Sequence, residues 1–278
     1  MALILIALLA LKIGVQTPGV QIPVLKLKPE AVEPVSGPSQ PCTSSQTGFG
    51  NTWILSCADG TLARTDTKSG KVLRSIQTGA GSEKAVLVVS GDSVWAFTDD
   101  KTTLSRIDPA EEKVVGELRL PAGCNSMVFG ETSLWVTCPA ENRVLRIDPL
   151  LNVVSKRIEV SAEPFAVAVG EGAVWVFCRK DGKVERIDPK TDKVAKTIEL
   201  AVPNTGGEIA AGEGSVWVTQ PGFPISRIDP KTDKVVQQFV GEGGGFIRTD
   251  KGSIWLSNMK QGTVWRLDPR RVLATLAE

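Results

Sequence analysis

Apolar and polar residues alternate in short bursts along this chain, and the bursts come in sets of four. One set shows the plan. Phe165 to Val169 is a short apolar run, and Gly170-Glu171-Gly172 reads as a turn. Val174 to Cys178 is a second run, rich in β-formers and holding a tryptophan. Lys180-Asp181-Gly182 carries tight-turn chemistry. Val184 to Ile187 is a third run, and Asp188-Pro189-Lys190-Thr191-Asp192 is another turn. Val194 to Leu200 then alternates with period two, the pattern of a half-exposed strand. The set predicts four short strands joined by tight turns, with no helical period to compete.

The set recurs. A tryptophan stands at Trp53, Trp95, Trp135, Trp175, Trp217 and Trp255, at steps of 42, 40, 40, 42 and 38 residues. A second marker runs in phase with it. It reads Arg64-Thr65-Asp66, Arg106-Ile107-Asp108-Pro109, Arg146-Ile147-Asp148-Pro149, Arg186-Ile187-Asp188-Pro189, Arg227-Ile228-Asp229-Pro230 and Arg266-Leu267-Asp268-Pro269. Four strands in a tandem repeat of about 40 residues is the pattern of a β-propeller blade. The expected fold is all-β: six four-stranded antiparallel blades over residues 40–278, with a seven-bladed ring as the alternative. A closed ring hides the apolar end faces that an open stack of blades would expose. Residues 15–39 form an extended lead-in. Its stretch from Gln21 to Val35, punctuated by Pro23, Pro29 and Pro34, is expected to pair with the last blade and close the ring.

Residues found once per blade serve the blade. Each tryptophan is expected to pack between neighbouring blades, where its ring buries a large apolar area. Each Asp-Pro opens a turn, because Asp accepts backbone N–H groups and Pro presets φ. Each arginine is expected to pair with an acid in a neighbouring turn.

Composition narrows the partners. There are 32 basic and 31 acidic residues, a net charge of +1. That balance excludes the basic face that nucleic acid selects, and a polybasic membrane patch with it. Residues 1–14 contain an apolar run, Ala2 to Leu11, ended by Lys12. It is too short to span a bilayer and has the length of a signal-peptide core. A periplasmic or secreted location is the expectation, with membrane contact only through this segment if it is retained. Five cysteines fit export. Cys42 and Cys57 flank one Gly-turn-Trp hairpin, and Cys124 and Cys138 flank another, so two disulfides are expected and Cys178 is left over.

Function belongs where the blades differ. The first strand of a blade lines the channel. The segments before it, and the turns between second and third strands, open on one face. Near the first-strand starts stand Glu83, Lys84, Asn125, Glu163, Glu208 and Arg248, the candidate ligand- or partner-binding residues. The second-to-third turns add Asp99, Asp100, Lys101, Glu141, Asn142, Arg143, Arg179, Lys180, Asp181, Gln220, Phe223 and Lys260. A mixed ring of acids and bases suits a small polar ligand or a protein partner.

Gly212-Glu213-Gly214-Ser215-Val216-Trp217-Val218 and the stretch from Ser226 to Val236 (SRIDPKTDKVV) resemble the bacterial propellers related to streptogramin (virginiamycin B) lyase, and the wider YVTN-type propellers. The resemblance covers nearly all of 40–278, but its motifs are blade motifs, which specify fold rather than activity. It implies a lyase that uses a metal ion, histidine and an acid. This chain has no histidine, so no position can take the histidine roles, and no Ser-His-Asp triad exists. The lyase is also seven-bladed. The expectation is therefore a non-catalytic exported propeller acting as a binding or protein-interaction scaffold. One alternative is a lyase-like enzyme using channel carboxylates. Another is an accessory subunit of a membrane complex. No cofactor is expected; Mg²⁺ or Ca²⁺ held through oxygen by Glu83, Glu163 and Glu208 is the arrangement that would change this.

Overall fold

The computed structural model describes residues 41–79, 85–98, 102–200, 206–239, 245–258 and 263–270, apart from the side chains of 41–44, 98, 223–224, 258 and 263. The signal-like segment and the predicted closing strand fall outside these residues. Six antiparallel sheets follow one another along the chain. The first is β1 (Pro41–Gly48), β2 (Asn51–Ser56), β3 (Thr61–Asp66) and β4 (Val72–Gln77). The second is β5 (Leu87–Val89), β6 (Val94–Thr98), β7 (Thr103–Asp108) and β8 (Lys113–Arg119). The third is β9 (Ser126–Gly130), β10 (Ser133–Cys138), β11 (Arg143–Asp148) and β12 (Val153–Glu159). The fourth is β13 (Pro164–Gly170), β14 (Ala173–Cys178), β15 (Lys183–Asp188) and β16 (Lys193–Glu199). The fifth is β17 (Glu208–Gly212), β18 (Ser215–Gln220), β19 (Phe223–Asp229) and β20 (Lys234–Phe239). In the sixth, the described strands are β21 (Ile247–Asp250), β22 (Ser253–Asn258) and β23 (Thr263–Leu267).

Each sheet is a meander whose strands pair in chain order. First strands of successive sheets lie side by side: β1 with β5, β5 with β9, β9 with β13, β13 with β17 and β17 with β21. The sheets are thus the blades of a six-bladed propeller, with their first strands at the hub.

Adjacent blades share their cores. Trp53 packs with Leu87, Val94 and Ile107 of the next blade. Trp95 packs with Leu134 and Ile147, Trp135 with Val174 and Ile187, Trp175 with Val216 and Ile228, and Trp217 with Ile247 and Ile254. These five rings are fully buried. Four of the indole N–H groups donate to the carbonyl five residues back: Gly48, Gly130, Gly170 and Gly212. In the second blade Ser90 Oγ takes that place. The same glycines let neighbouring hub strands approach. A Cβ on Gly130 would lie 2.5 Å from Val169 Cγ1, and one on Gly170 would lie 2.7 Å from the Ala211 carbonyl oxygen.

The arginine sits directly across from the tryptophan, as in Trp135↔Arg146 and Trp175↔Arg186. Its guanidinium lies over the indole, 5.0 Å from the ring centroid for Arg146 and 5.7 Å for Arg186. A bulge follows the arginine at the third-to-fourth strand pairing in each of the first five blades. Three arginines then cross to the next blade. Arg64 pairs with Glu112, Arg146 with Asp192 at 2.7 Å, and Arg186 with Asp233 at 3.2 Å. The partner is the turn residue four places after the turn aspartate. It sits at positive φ: 55° at Glu112, 57° at Asp192 and 55° at Asp233. Asn152 holds that place in the third blade, and Arg106 pairs with Asp92 of its own blade instead, at 3.0 Å. The turn aspartates accept backbone N–H groups, as Asp108 does from Ala110 and Glu111. Those bonds hold the carboxyls of Asp66, Asp108, Asp188 and Asp229 below the ordinary aspartate range.

Trp255 departs from the pattern. It is 42% exposed, although Arg266 lies over its ring at 5.7 Å. The Cys124–Cys138 disulfide is present, and Cys178 is free and buried. Cys57 is also disulfide-bonded, while the side chain of Cys42 is outside the described set.

Trp175→Ala is expected to cost about 3–5 kcal/mol in denaturant unfolding, the range for deleting a buried aromatic. Trp255→Ala should cost less than about half of that, because its ring gives up less buried area. Cys124→Ser should cost about 3 kcal/mol, since the bridge closes a loop of 14 residues. Urea titration of the three variants measures all three values.

Candidate functional site at the channel mouth

Antiparallel register decides which residues meet. The start of a hub strand lies opposite the end of the second strand, so Pro164 faces Cys178 and Glu208 faces Thr219. The second-to-third turn leaves from that same end, where Cys178 faces Lys183. The hub-strand starts and these turns therefore share one face, and that face is the mouth of the channel.

The fourth blade presents a tightly bonded cluster there. Glu163 sits at a φ of 54°, a conformation uncommon outside glycine. Its N–H donates to Asn142 Oδ1 of the third blade at 3.0 Å, and its carbonyl accepts the Arg179 N–H at 2.8 Å. Its carboxylate oxygen Oε2 accepts from Arg179 Nε at 3.0 Å and from Nη2 at 2.8 Å. The same guanidinium lies 4.9 Å from the centroid of Phe165. Asp181 Oδ2 accepts the N–H of Ala162 at 2.8 Å. Four residues singled out in the sequence (Asn142, Glu163, Arg179 and Asp181) are thus assembled by backbone as well as side-chain bonds.

A second cluster bridges the fifth and sixth blades. Thr219 Oγ1 accepts the Glu208 N–H at 3.0 Å and donates to the Gly245 carbonyl at 2.8 Å. That one hydroxyl ties two hub-strand starts together. Arg248 Nη1 donates to the Ile247 carbonyl at 2.6 Å and reaches Glu208 Oε2 at 3.5 Å. Burial pushes the Glu208 carboxyl up from the ordinary glutamate range, and the Arg248 charge pulls against it.

Asn125 is committed to its own blade: its N–H donates to the Thr137 carbonyl and its Oδ1 accepts from Thr137 Oγ1 at 2.7 Å. Its neighbour Cys124 is held in the disulfide. Glu83, Lys84, Asp99, Asp100, Lys101 and Lys260 lie outside the described residues, as does the side chain of Phe223. Glu141 lies 3.7 Å from Arg143. Gln220 is fully buried, and neither atom of its amide has a hydrogen-bond partner. Glu163 and Glu208 each pair with an arginine, and no group of three or more Asp, Glu, Cys or His able to hold a metal occurs among the described residues.

Sequence reasoning missed Phe165, Phe246 and Thr219. The repeat carried a signal for two of them: the position two after the marker tryptophan is Thr137, Thr219 or Ser257 in three blades and Leu55, Phe97 or Phe177 in the others. Each hydroxyl in that place accepts an N–H from the hub strand or its lead-in, at Ser126, Glu208 and Phe246 respectively. Glu185 was missed as well. It is buried, accepting from Ser161 and from Thr197 Oγ1, at a place where other blades carry Ala63, Ser105 or Ser226.

No family model matches the sequence, and no curated protein does. Among solved structures, virginiamycin B lyase from Staphylococcus aureus is similar, with a TM-score of 0.66 at 16% identity, over 82% of this chain and 84% of that one. Hydrazine synthase from Kuenenia stuttgartiensis is similar with a TM-score of 0.53 at 14% identity, over 66% of this chain and 65% of that one. At such identities the likeness is one of fold, and in fold the chain is a propeller like the streptogramin lyase.

A raised acid pKa means that the folded state binds the Glu208 proton more tightly than the unfolded chain does. The charged form therefore costs stability as pH rises through the folded value. Glu208→Gln is expected to melt above the parent chain at about pH 7, with the gap closing toward about pH 4. Thermal melts across that range check the sign.

Proposed function

We propose that this chain is a non-catalytic exported propeller that binds a protein partner through the mouth of its channel. One observation carries the reading: the framework residues repeat from blade to blade, while the mouth residues do not. Selection for packing alone would leave the mouth as uniform as the seams. Instead one blade offers Glu163, Arg179 and Phe165, and the next seam offers Glu208 and Arg248. Side-chain pairs fixed by backbone bonds lose little freedom on binding, which favours recognition.

The chemistry supports binding over catalysis. Without histidine, acid–base work at neutral pH falls to a carboxyl or a lysine. Glu163 is neutralised by a forked arginine contact, which suits anchoring better than proton transfer. Export is supported by the signal-like N-terminal run and by the disulfide, a bond that persists in oxidising compartments.

The test is capture from an envelope fraction with the full chain as bait. A partner retained by the parent chain should be lost with Arg179→Ala and with Glu163→Gln. It should be kept with Lys190→Ala, which alters a turn on the opposite face. Retention that ignores the mouth variants refutes the assignment of binding to that face.

A further inference from the structure

Two acid–arginine pairs stand at the mouth, and they differ in how fully they are satisfied. The Glu163–Arg179 pair is closed, with two donors on one oxygen at 2.8 and 3.0 Å. The Glu208–Arg248 pair is open. Arg248 is anchored on the Ile247 carbonyl at 2.6 Å and meets Glu208 only at 3.5 Å. An ionised carboxylate has about four acceptor positions. That long contact is the one hydrogen bond to the Glu208 carboxylate among the described residues. Water makes up little of the deficit, because the side chain is only 28% exposed, while Arg248 is 66% exposed. Beside them, on the strand start that Thr219 ties to Glu208, the Phe246 ring is 45% exposed.

We propose that Glu208 and the Phe246 ring form a subsite for a primary ammonium group on an apolar stem, the chemistry of a lysine side chain presented by a partner protein. The proposal rests on the mouth being the binding face. An ammonium brings three donors on a compact head, which suits a half-buried carboxylate that a bulky guanidinium meets poorly. Its methylene stem covers the exposed ring, and the ring face attracts the charge. Arg248, held mainly by a carbonyl, swings outward as the ligand enters. A divalent ion fits worse, since it takes six or more oxygen ligands or keeps several waters. An anion would be repelled by Glu208, and a neutral ligand would leave its charge as poorly solvated as before. Binding makes and breaks no covalent bond.

The test is isothermal titration of the full chain with Nα-acetyl-lysine N-methylamide and with its norleucine counterpart, which keeps the stem and lacks the ammonium. The lysine probe should bind at least about tenfold more tightly than the norleucine probe. Glu208→Gln should weaken the lysine probe about tenfold, and Phe246→Ala about threefold. Arg248→Ala should tighten it about two- to fivefold by removing the competitor. Thermal melts establish that each variant is folded. Equal affinity for the two probes, no binding of the lysine probe, or full binding by Glu208→Gln overturns the proposal. Loss of binding in Arg248→Ala overturns it too, because Arg248 would then be the ligand's partner. A captured protein that depends on Arg179 but ignores Glu208→Gln sinks the ammonium subsite and leaves the binding face standing. A captured protein indifferent to both residues sinks both.

Discussion

Everything in this propeller depends on an indole wedged between two twisted sheets. A lone four-stranded sheet has two apolar faces and cannot bury either by itself. Each marker tryptophan fills the gap to the next blade, and its N–H is satisfied by a carbonyl or hydroxyl five residues back, so the ring is buried without a polar cost. The arginine across the strand pair covers the ring from outside. Cation–π contact of this kind contributes roughly 0.5–2 kcal/mol. The bulge that follows turns the local backbone, and three arginines continue to an acid of the next blade. Ring contact and ion pair thus act on the same seam.

The mouth inherits its order from this frame. Hub-strand starts are held by bonds to the second strand of the same blade, and in two places by bonds to a neighbouring blade. Side chains at those starts are therefore positioned by the seams rather than by one another. Glutamates at similar places then behave differently. Glu163 is gripped by an arginine from its own blade, 16 positions on. Glu208 faces an arginine from the next blade that is already engaged with a carbonyl.

The fold was legible because the chain states it six times. Any one Trp or Arg-x-Asp is ambiguous, but six in phase leave few architectures. The identity of the arginine's partner was harder to read. Asp192 and Asp233 lie 46 and 47 positions from Arg146 and Arg186, and nothing local marks them as partners until the blades are stacked. The exposure of Trp255 was invisible for a related reason. Its local sequence matches the other blades, and only the surface it meets is different. At the site, residue type could nominate Glu163, Glu208 and Arg248, but could not say which acid is satisfied. That depends on a few tenths of an ångström between side chains from separate repeats.

The glycines at the far ends of the hub strands have a geometric consequence. Gly48, Gly130, Gly170 and Gly212 let one backbone rest against the next strand, where any Cβ would collide. At the opposite ends the matching places carry full side chains, Glu208 among them. A circumference is the sum of its spacings, so a hub with bare backbone at one rim and bulky groups at the other is a funnel. Its broad end carries the charged residues, and a visitor too large for the narrow end has a single way in and out.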